Sequence, residues 1–458
     1  MKITKFLQIV SLSFLVVFIS ASFLYAQHVA TTPTDRKDEW WVKRHADNVT
    51  QMEKGDINLL MIGDSITHGW DNKGKTVWDS YYGHRKPINL GFSGDRTEHV
   101  LWRLDHLPLD KISPKAAVLM IGTNNIGHNS SSPKETADGI KAIVEKLEKQ
   151  YPALKIIVLN VFPRDNKPED NYRKKVNEIN SYLPELLKDK PNVTLVDINS
   201  VFLDAEKNLP KEIMPDFLHP NTYGYELWAK TVEPTLTVLL GETNPAIIPV
   251  DKMNEEWWNK RHEANSEKIA KNEIEFLMIG DSITHGWDGQ SALVEKYFAQ
   301  YKPVNLGFGG DQTQHVLWRL DHLPLDKISP KAAMIMIGTN NTGNRANTPW
   351  MIAVGIKAIV EKLQKQKPDL QIIVLKVFPR GEKANDWLRL RVNEINLVLP
   401  ELLAGMKNVE VIDINDGFLA EDGTLPKEIM PDFLHPNTKG YEIWGEKLAP
   451  VLKAKFGR

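Results

Sequence analysis

The 458-residue chain contains no cysteine. Disulfides, thiolate metal sites, a lipid-modified N-terminal cysteine and a cysteine nucleophile are thereby excluded. Stability must come from hydrophobic cores, which units of about 200 residues can supply. The chain also lacks an excess of either charge. Its 57 Lys and Arg against 59 Asp and Glu leave a formal charge of −2. No basic stripe offers a footprint for nucleic acid, so no nucleic-acid partner is expected. Long hydrophobic runs are scarce. The one run able to span a bilayer is residues 6–25, preceded by Lys2 and Lys5 and followed by Ala26. It reads as an export signal over residues 1–26, with a periplasmic or secreted product and no stable membrane insertion after cleavage. Leu24, two residues before Ala26, is large for that position, and a retained anchor is the alternative. The rest, with 42% hydrophobic and 25% charged residues overall, has a globular composition.

What the chain does have, it has twice. "MIGDSITHGW" stands at 61–70 and again at 278–287. "HVLWRLDHLPLDKISPKAA" recurs at 99–117 and 315–333, and "PKEIMPDFLHPNT" at 210–222 and 426–438. The offset is 217 residues at Ser65/Ser282 and 216 at His219/His435. Solenoid units repeat every 20–50 residues or so. This is a duplicated domain, read as 35–240 and 253–458 joined by a Gly/Pro-bearing linker at 241–252.

Within each copy strands and helices alternate. In the first, "INLLMIG" (57–63), "PINLGF" (87–92), "AAVLMIG" (116–122), "KIIVLNVF" (155–162) and "VTLVDI" (193–198) are short apolar runs. Such runs suit strands buried on both faces of a parallel sheet. Helical stretches separate them: "EHVLWRLDH", "KETADGIKAIVEKLEKQ" and "DNYRKKVNEINSYLPELLK". The expectation is an α/β fold of two tandem three-layer sandwiches, each with a five-stranded parallel sheet. Sites in such folds gather beyond the carboxyl ends of the strands.

Four post-strand loops carry candidate chemistry. "GDS" presents Ser65 and Ser282 on a strand-to-helix turn, where a serine can expose its hydroxyl and aim its N–H at a reacting oxygen. The G-x-S-x-G elbow is not met, because Thr67 and Thr284 hold the last Gly position. A plain Asp-Ser helix cap is the alternative. "GFSGDRTEH" and "GFGGDQTQH" place Gly94 and Gly310 where a substrate oxygen can come close. Asp95 with Glu98, and Asp311 with Gln314, suggest a capping box and a helix N-terminus right after them. "IGTNN" offers the amides of Asn124 and Asn340 to the same oxygen, with a simple turn role as the alternative. "PDFLHP" supplies Asp216 with His219 and Asp432 with His435, a local unit in which a carboxylate holds one imidazole nitrogen and leaves the other for a hydroxyl. A metal pair is the competing reading, but no further His or carboxylate cluster has ligand spacing, so neither metal nor cofactor is expected.

These blocks resemble those of the SGNH (GDSL) hydrolases, serine esterases on a flavodoxin-like sheet. The resemblance spans residues 40–240 and 257–456. It implies Ser65 and Ser282 as nucleophiles, Gly94, Asn124, Gly310 and Asn340 in oxyanion holes, and Asp216/His219 and Asp432/His435 closing the triads. "GGDQTQHVLWRL" and "SPKAAMIMIGTNN" look most like the catalytic subunits of type Ib platelet-activating-factor acetylhydrolases, which implies short acyl groups and no metal. Ile follows the serine where the family name has Leu, and a signal-bearing tandem departs from the single-domain subunits. By the same resemblance Ile66, Thr123 and Leu218 crowd an acyl pocket. Export suggests small-molecule or glycan esters as substrates. Trp40, Trp70, Trp257 and Trp287 are candidates to stack on a sugar, although "EWWVKRH" also reads as a core-packed helix. His68 and His285 read equally as substrate contacts or loop packing. A lipid esterase and a non-catalytic glycan-binding tandem are the rival classes. No feature sets an oligomeric state.

Overall fold

The computed structural model describes residues 28–271, 273–343 and 347–457. The expected export signal lies outside these residues. Among them, no helix is long and apolar enough to cross a membrane.

The first half contains strands β1 (Leu59–Gly63), β2 (Pro87–Gly91), β3 (Ala116–Met120), β4 (Lys155–Leu159) and β5 (Val193–Val196). Its helices are α1 (Glu39–Met52), α2 (Ser65–His68), α3 (Lys75–Tyr81), α4 (Thr97–His106), α5 (Thr123–Gly127), α6 (Pro133–Gln150), α7 (Asn171–Leu187) and α8 (Thr222–Leu239). In the second half the strands are β6 (Phe276–Gly280), β7 (Pro303–Gly307), β8 (Ala332–Met336), β9 (Gln371–Leu375) and β10 (Val409–Ile412). The matching helices are α9 (Glu256–Lys271), α10 (Ser282–His285), α11 (Ser291–Tyr297), α12 (Thr313–His322), α13 (Pro349–Gln366), α14 (Trp387–Leu402) and α15 (Thr438–Phe456). The counterpart of α5 is a 3-10 turn, Asn341–Gly343.

Both sheets are parallel throughout, in the orders β2-β1-β3-β4-β5 and β7-β6-β8-β9-β10. Every residue of β1 and β3 is buried, as continuous apolar strands between two helical layers require. Alternate side chains feed separate cores. Leu60 and Ile62 pack with Ile140, Val144 and Ile179 on one face, while Leu59 and Met61 pack with Trp70, Tyr225 and Trp228 on the other. The chain leaves β1 toward β2 on one side and returns to β3 on the other. The crevice beyond the ends of β1 and β3 is therefore the topological switch point.

Two glycines press the first loop onto the sheet. A Cβ on Gly63 would lie 2.1 Å from Thr67 Oγ1, and one on Gly91 would lie 2.2 Å from the backbone nitrogen of His68. Gly280 and Gly307 are equally tight, at 2.1 and 2.2 Å from Thr284 and His285. The short turn holding the serine is thus seated directly on two strand ends.

The expected capping box is not formed. Arg96, not Asp95, is the N-cap of α4, and its N–H donates to His99 Nδ1 at 3.0 Å; Gln312 and His315 repeat this at 2.9 Å. Asp95 is buried instead, accepting from Trp41 Nε1 at 2.7 Å and Arg103 Nε at 2.9 Å. A guanidinium and an indole N–H together satisfy a buried carboxylate far better than one backbone N–H at a helix end.

Segment 244–250 is anchored to the second half. The Ala246 carbonyl accepts the Thr313 hydroxyl at 2.8 Å, and Val250 N–H donates to the Gln314 carbonyl at 3.2 Å. Segment 28–34 does the same in the first half, with Thr97 to the Ala30 carbonyl at 2.8 Å and Thr34 N–H to Glu98 at 3.1 Å.

Candidate active site

Asp64 caps the α2 turn, its Oδ1 accepting the Ile66 N–H at 3.0 Å, which sets Ser65 as the first helical residue beyond β1. Ser65 Oγ lies 2.9 Å from His219 Nε2, and His219 Nδ1 lies 2.7 Å from Asp216 Oδ2. The second half repeats the chain: Ser282 Oγ to His435 Nε2 is 2.8 Å, and His435 Nδ1 to Asp432 Oδ2 is 2.7 Å. A carboxylate on Nδ1 fixes the tautomer with Nε2 unprotonated and facing the hydroxyl.

The Asp-His loop is self-organised. Asp216 Oδ1 accepts the N–H groups of Leu218 at 3.1 Å and His219 at 2.7 Å, so its other oxygen is free to hold the ring. Partial burial raises the Asp216 carboxyl, but the bonds from His219 and Leu218 outweigh it and hold the group below the ordinary carboxylate range; Asp432 behaves alike. Phe217 and Phe433 each sit at φ 57°, a left-handed conformation that bulky residues avoid. The reversal is clamped from outside, since Asp165 N–H donates to the Phe217 carbonyl at 3.0 Å and Gly381 N–H to that of Phe433 at 2.9 Å.

Gly94 and Gly310 adopt φ 77° and 70°, beyond the ends of β2 and β7. Asn124 Nδ2 donates to the Asp95 carbonyl at 3.0 Å, and Asn340 Nδ2 to that of Asp311 at 2.9 Å. The Gly and Asn loops are therefore tied together. Each amide has a second hydrogen for another acceptor. In the first half, Ser93 Oγ lies 2.9 Å from His68 Nδ1, which links the glycine loop to the serine turn.

The three pocket candidates differ. Ile66 is packed into the apolar layer beneath the sheet, so its contribution to the loop is through its backbone: its carbonyl accepts the Tyr225 hydroxyl at 2.6 Å. Thr123 is buried and its carbonyl accepts Arg164 Nη1 at 3.1 Å. Leu218 is half-buried beside His219. Among the tryptophans, Trp70 and Trp287 are fully buried core residues and present no face to a ligand, a correction to the expectation. Trp41 and Trp258 are buried as well, whereas Trp40 and Trp257 are exposed.

Sequence reasoning missed Asp95 and Asp311 as supports of this loop. The buried carboxylate takes Trp41 and Arg103, and its own carbonyl takes Asn124. The visible signal was an Asp and an Arg eight residues apart, identical in both copies. Nothing in spacing alone said that they pair.

The arrangement suits acyl transfer: a hydroxyl is backed by an oriented imidazole, on a turn that Ser93 and His68 link to the glycine loop in the first half. A carboxylic-ester hydrolase is the class of enzyme to which this chain belongs. More particularly, it is a member of the GDSL-like lipase/acylhydrolase family, whose model matches residues 61–227 and again 278–443. It is 37% identical over 204 residues to platelet-activating factor acetylhydrolase IB subunit alpha2 of Rattus norvegicus, covering 44% of this chain and 87% of that protein. The alpha1 subunit of Homo sapiens is 35% identical over 204 residues, with 44% and 86% covered. Among solved structures it is similar to a GDSL-like lipase of Bacteroides thetaiotaomicron (20% identity, TM-score 0.36, covering 43% and 97%). It is also similar to an acetylxylan esterase of Geobacillus stearothermophilus (18%, TM-score 0.34, covering 41% and 96%).

Proposed function

We propose that the protein is exported and that each half hydrolyses short-chain acyl esters, foremost acetyl esters, on carbohydrate substrates. The observation that carries this reading is the Ser–His–Asp chain, 2.9 and 2.7 Å in one half and 2.8 and 2.7 Å in the other.

In this mechanism His219 or His435 accepts the serine proton as Oγ bonds to the ester carbon. Charge on the carbonyl oxygen is met by the N–H groups of the serine and of Gly94 or Gly310, and by the amide of Asn124 or Asn340. One such donor is typically worth about 10²–10³ in turnover. The imidazolium gives its proton to the departing alcohol. A water then attacks the acyl-enzyme, passing its proton to the same histidine and restoring the serine. Asp216 or Asp432 orients the ring and stabilises its charged form. Acetyl preference is supported by half-buried Leu218 beside His219 and by the acetylhydrolase relatives at 37% identity. Export rests on the 1–26 segment, and N-terminal sequencing of the mature protein tests it. A phospholipid esterase is the second reading, favoured by what those relatives are named for.

The deciding experiment compares Ser65→Ala, Ser282→Ala and the double variant on p-nitrophenyl acetate and octanoate. Each single variant is expected to keep part of the acetate activity, the double variant none, and acetate to be turned over well ahead of octanoate. Activity in the double variant would refute the assignment, and comparable rates on the two esters would refute the acyl preference.

A further inference from the structure

The helix-initial pair Trp-Trp splits in the same way in both halves. Trp41 and Trp258 turn inward, donating their indole N–H to Asp95 and Asp311 at 2.7 and 2.8 Å. Their neighbours Trp40 and Trp257 remain 40% and 43% exposed, among the few large apolar side chains that are. Exposing an indole forgoes the burial that such a side chain normally gains, and both copies keep it exposed at the same position.

The surroundings of each indole point to the active site. Trp40 stacks on His68 with ring centroids 6.1 Å apart and an interplanar angle of 19°; Trp257 stacks on His285 at 6.3 Å and 14°. These histidines lie three residues after Ser65 and Ser282, one turn along the same short helix. The other border is the glycine loop. A Cβ on Gly309 would lie 3.6 Å from Trp257 Cη2, and one on Gly94 would lie 3.1 Å from Arg36 Nη1. Arg36 in turn places its guanidinium carbon 5.4 Å from the Trp40 ring centre, and Lys252 places Nζ 5.7 Å from that of Trp257. Each exposed indole thus bridges the serine turn and the glycine loop, with an imidazole and a cation at its borders.

We propose that Trp40 and Trp257 are leaving-group subsites that stack a sugar ring while its acetyl group lies at Ser65 or Ser282. This rests on the nucleophile reading above. The C–H face of a pyranose covers an indole, while Arg36 or Lys252 and the histidine meet its hydroxyls. Asp71 and Asp288, 4.0 and 3.7 Å from the two histidines, sit at the rim paired with Arg44 and Arg261 at 2.8 and 2.7 Å.

The test uses the full chain with one site silenced. Trp40→Ala is measured in a Ser282→Ala background and Trp257→Ala in a Ser65→Ala background, on acetylated xylo-oligosaccharides and on ethyl acetate. The ratio of kcat/KM for the sugar ester to that for ethyl acetate is expected to fall about tenfold, through KM, with Trp→Phe recovering most of it. In the inactive double-serine variant, unacetylated xylo-oligosaccharide is expected to quench tryptophan fluorescence, and Trp40→Ala with Trp257→Ala to abolish it. An unchanged ratio, or equal losses on both esters, would overturn the subsite. Fluorophosphonate labelling of Ser65 and Ser282 in the parent separates the two failures: unlabelled serines sink the nucleophile reading, while labelled serines with an unchanged ratio sink only the subsite.

Discussion

At the scale of single residues, the aspartate before each serine carries an ionisation unlike that of the triad carboxylates. Asp64 is fully buried, and its Oδ2 has no hydrogen-bond partner among the described residues. Burial, reinforced by nearby Asp95 and opposed by the Ile66 N–H, pushes its carboxyl up to about 7; Asp281 is likewise pushed up to about 7. A carboxyl raised on folding leaves the native state holding more protons than the unfolded chain between the two pKa values. Its effect on stability is therefore least costly below about pH 4 and grows as pH rises toward about 7. Asp64→Asn removes that dependence. Its melting temperature relative to the parent is expected to shift in the variant's favour between about pH 5 and about pH 8. A pH-independent difference in calorimetry would refute the ionisation.

The two halves solve one problem of helix anchoring differently. In the first, buried Arg85 donates to Glu233 at 2.6 and 3.0 Å and to Thr237 at 3.2 Å, tying the start of β2 to α8, with Glu242 completing the cluster at 2.8 Å. In the second, Tyr301 stands in the place of Arg85 and packs on Phe456, ring centres 4.4 Å apart and planes tilted by 35°. Removing one member of a buried ion pair leaves the other uncompensated. Arg85→Met is accordingly expected to destabilise the first half by about 3–5 kcal/mol in urea unfolding, and adding Glu233→Leu to recover most of it. If Arg85→Met is neutral, the cluster contributes nothing. Elements of this size were legible from pattern: the five apolar runs of the first half became β1–β5, and "EHVLWRLDH" became α4 with one residue added. The cap of α4 was not legible, because Asp95 as an N-cap and Asp95 as the partner of a buried arginine look the same in one dimension.

For the whole molecule, the halves meet head to tail, α3 and α8 of the first against α13 and α14 of the second. Arg391, fully buried, donates to the Ser80 carbonyl at 3.1 Å, and Lys230 pairs with Glu401 at 2.6 Å. Between them runs a cleft of about 530 Å³ lined by Leu227, Pro234, Trp350, Val398 and Leu402. At the positions of Trp350, Arg391 and Val398 the first half has Lys134, Lys175 and Tyr182, so its equivalent face lacks the tryptophan and valine that line this cleft. With Ala246 anchored to Thr313, we propose that the second unit begins near Asn244. Calorimetry is expected to give one cooperative transition for the parent and two for Trp350→Asp with Val398→Asp, as interface coupling is lost. A single transition in both would refute coupling through this face.

The duplication, the strand-helix alternation and the four loops are properties of residue order, and the amino acids alone determined them. A strand buried on both faces must be continuously apolar, and a repeated word needs no coordinates to be recognised. Which polar groups meet was decided only by tertiary structure. The 2.9 Å approach of His219 to Ser65 joins residues 154 apart, and the burial of Trp41 and Trp70 beside the exposure of Trp40 depends on which side of a helix or turn faces the sheet. Hydrophobic patterning is a local signal that survives in one dimension. Hydrogen-bond partnership is a choice among competitors and is settled by which of them folding brings within about 3 Å.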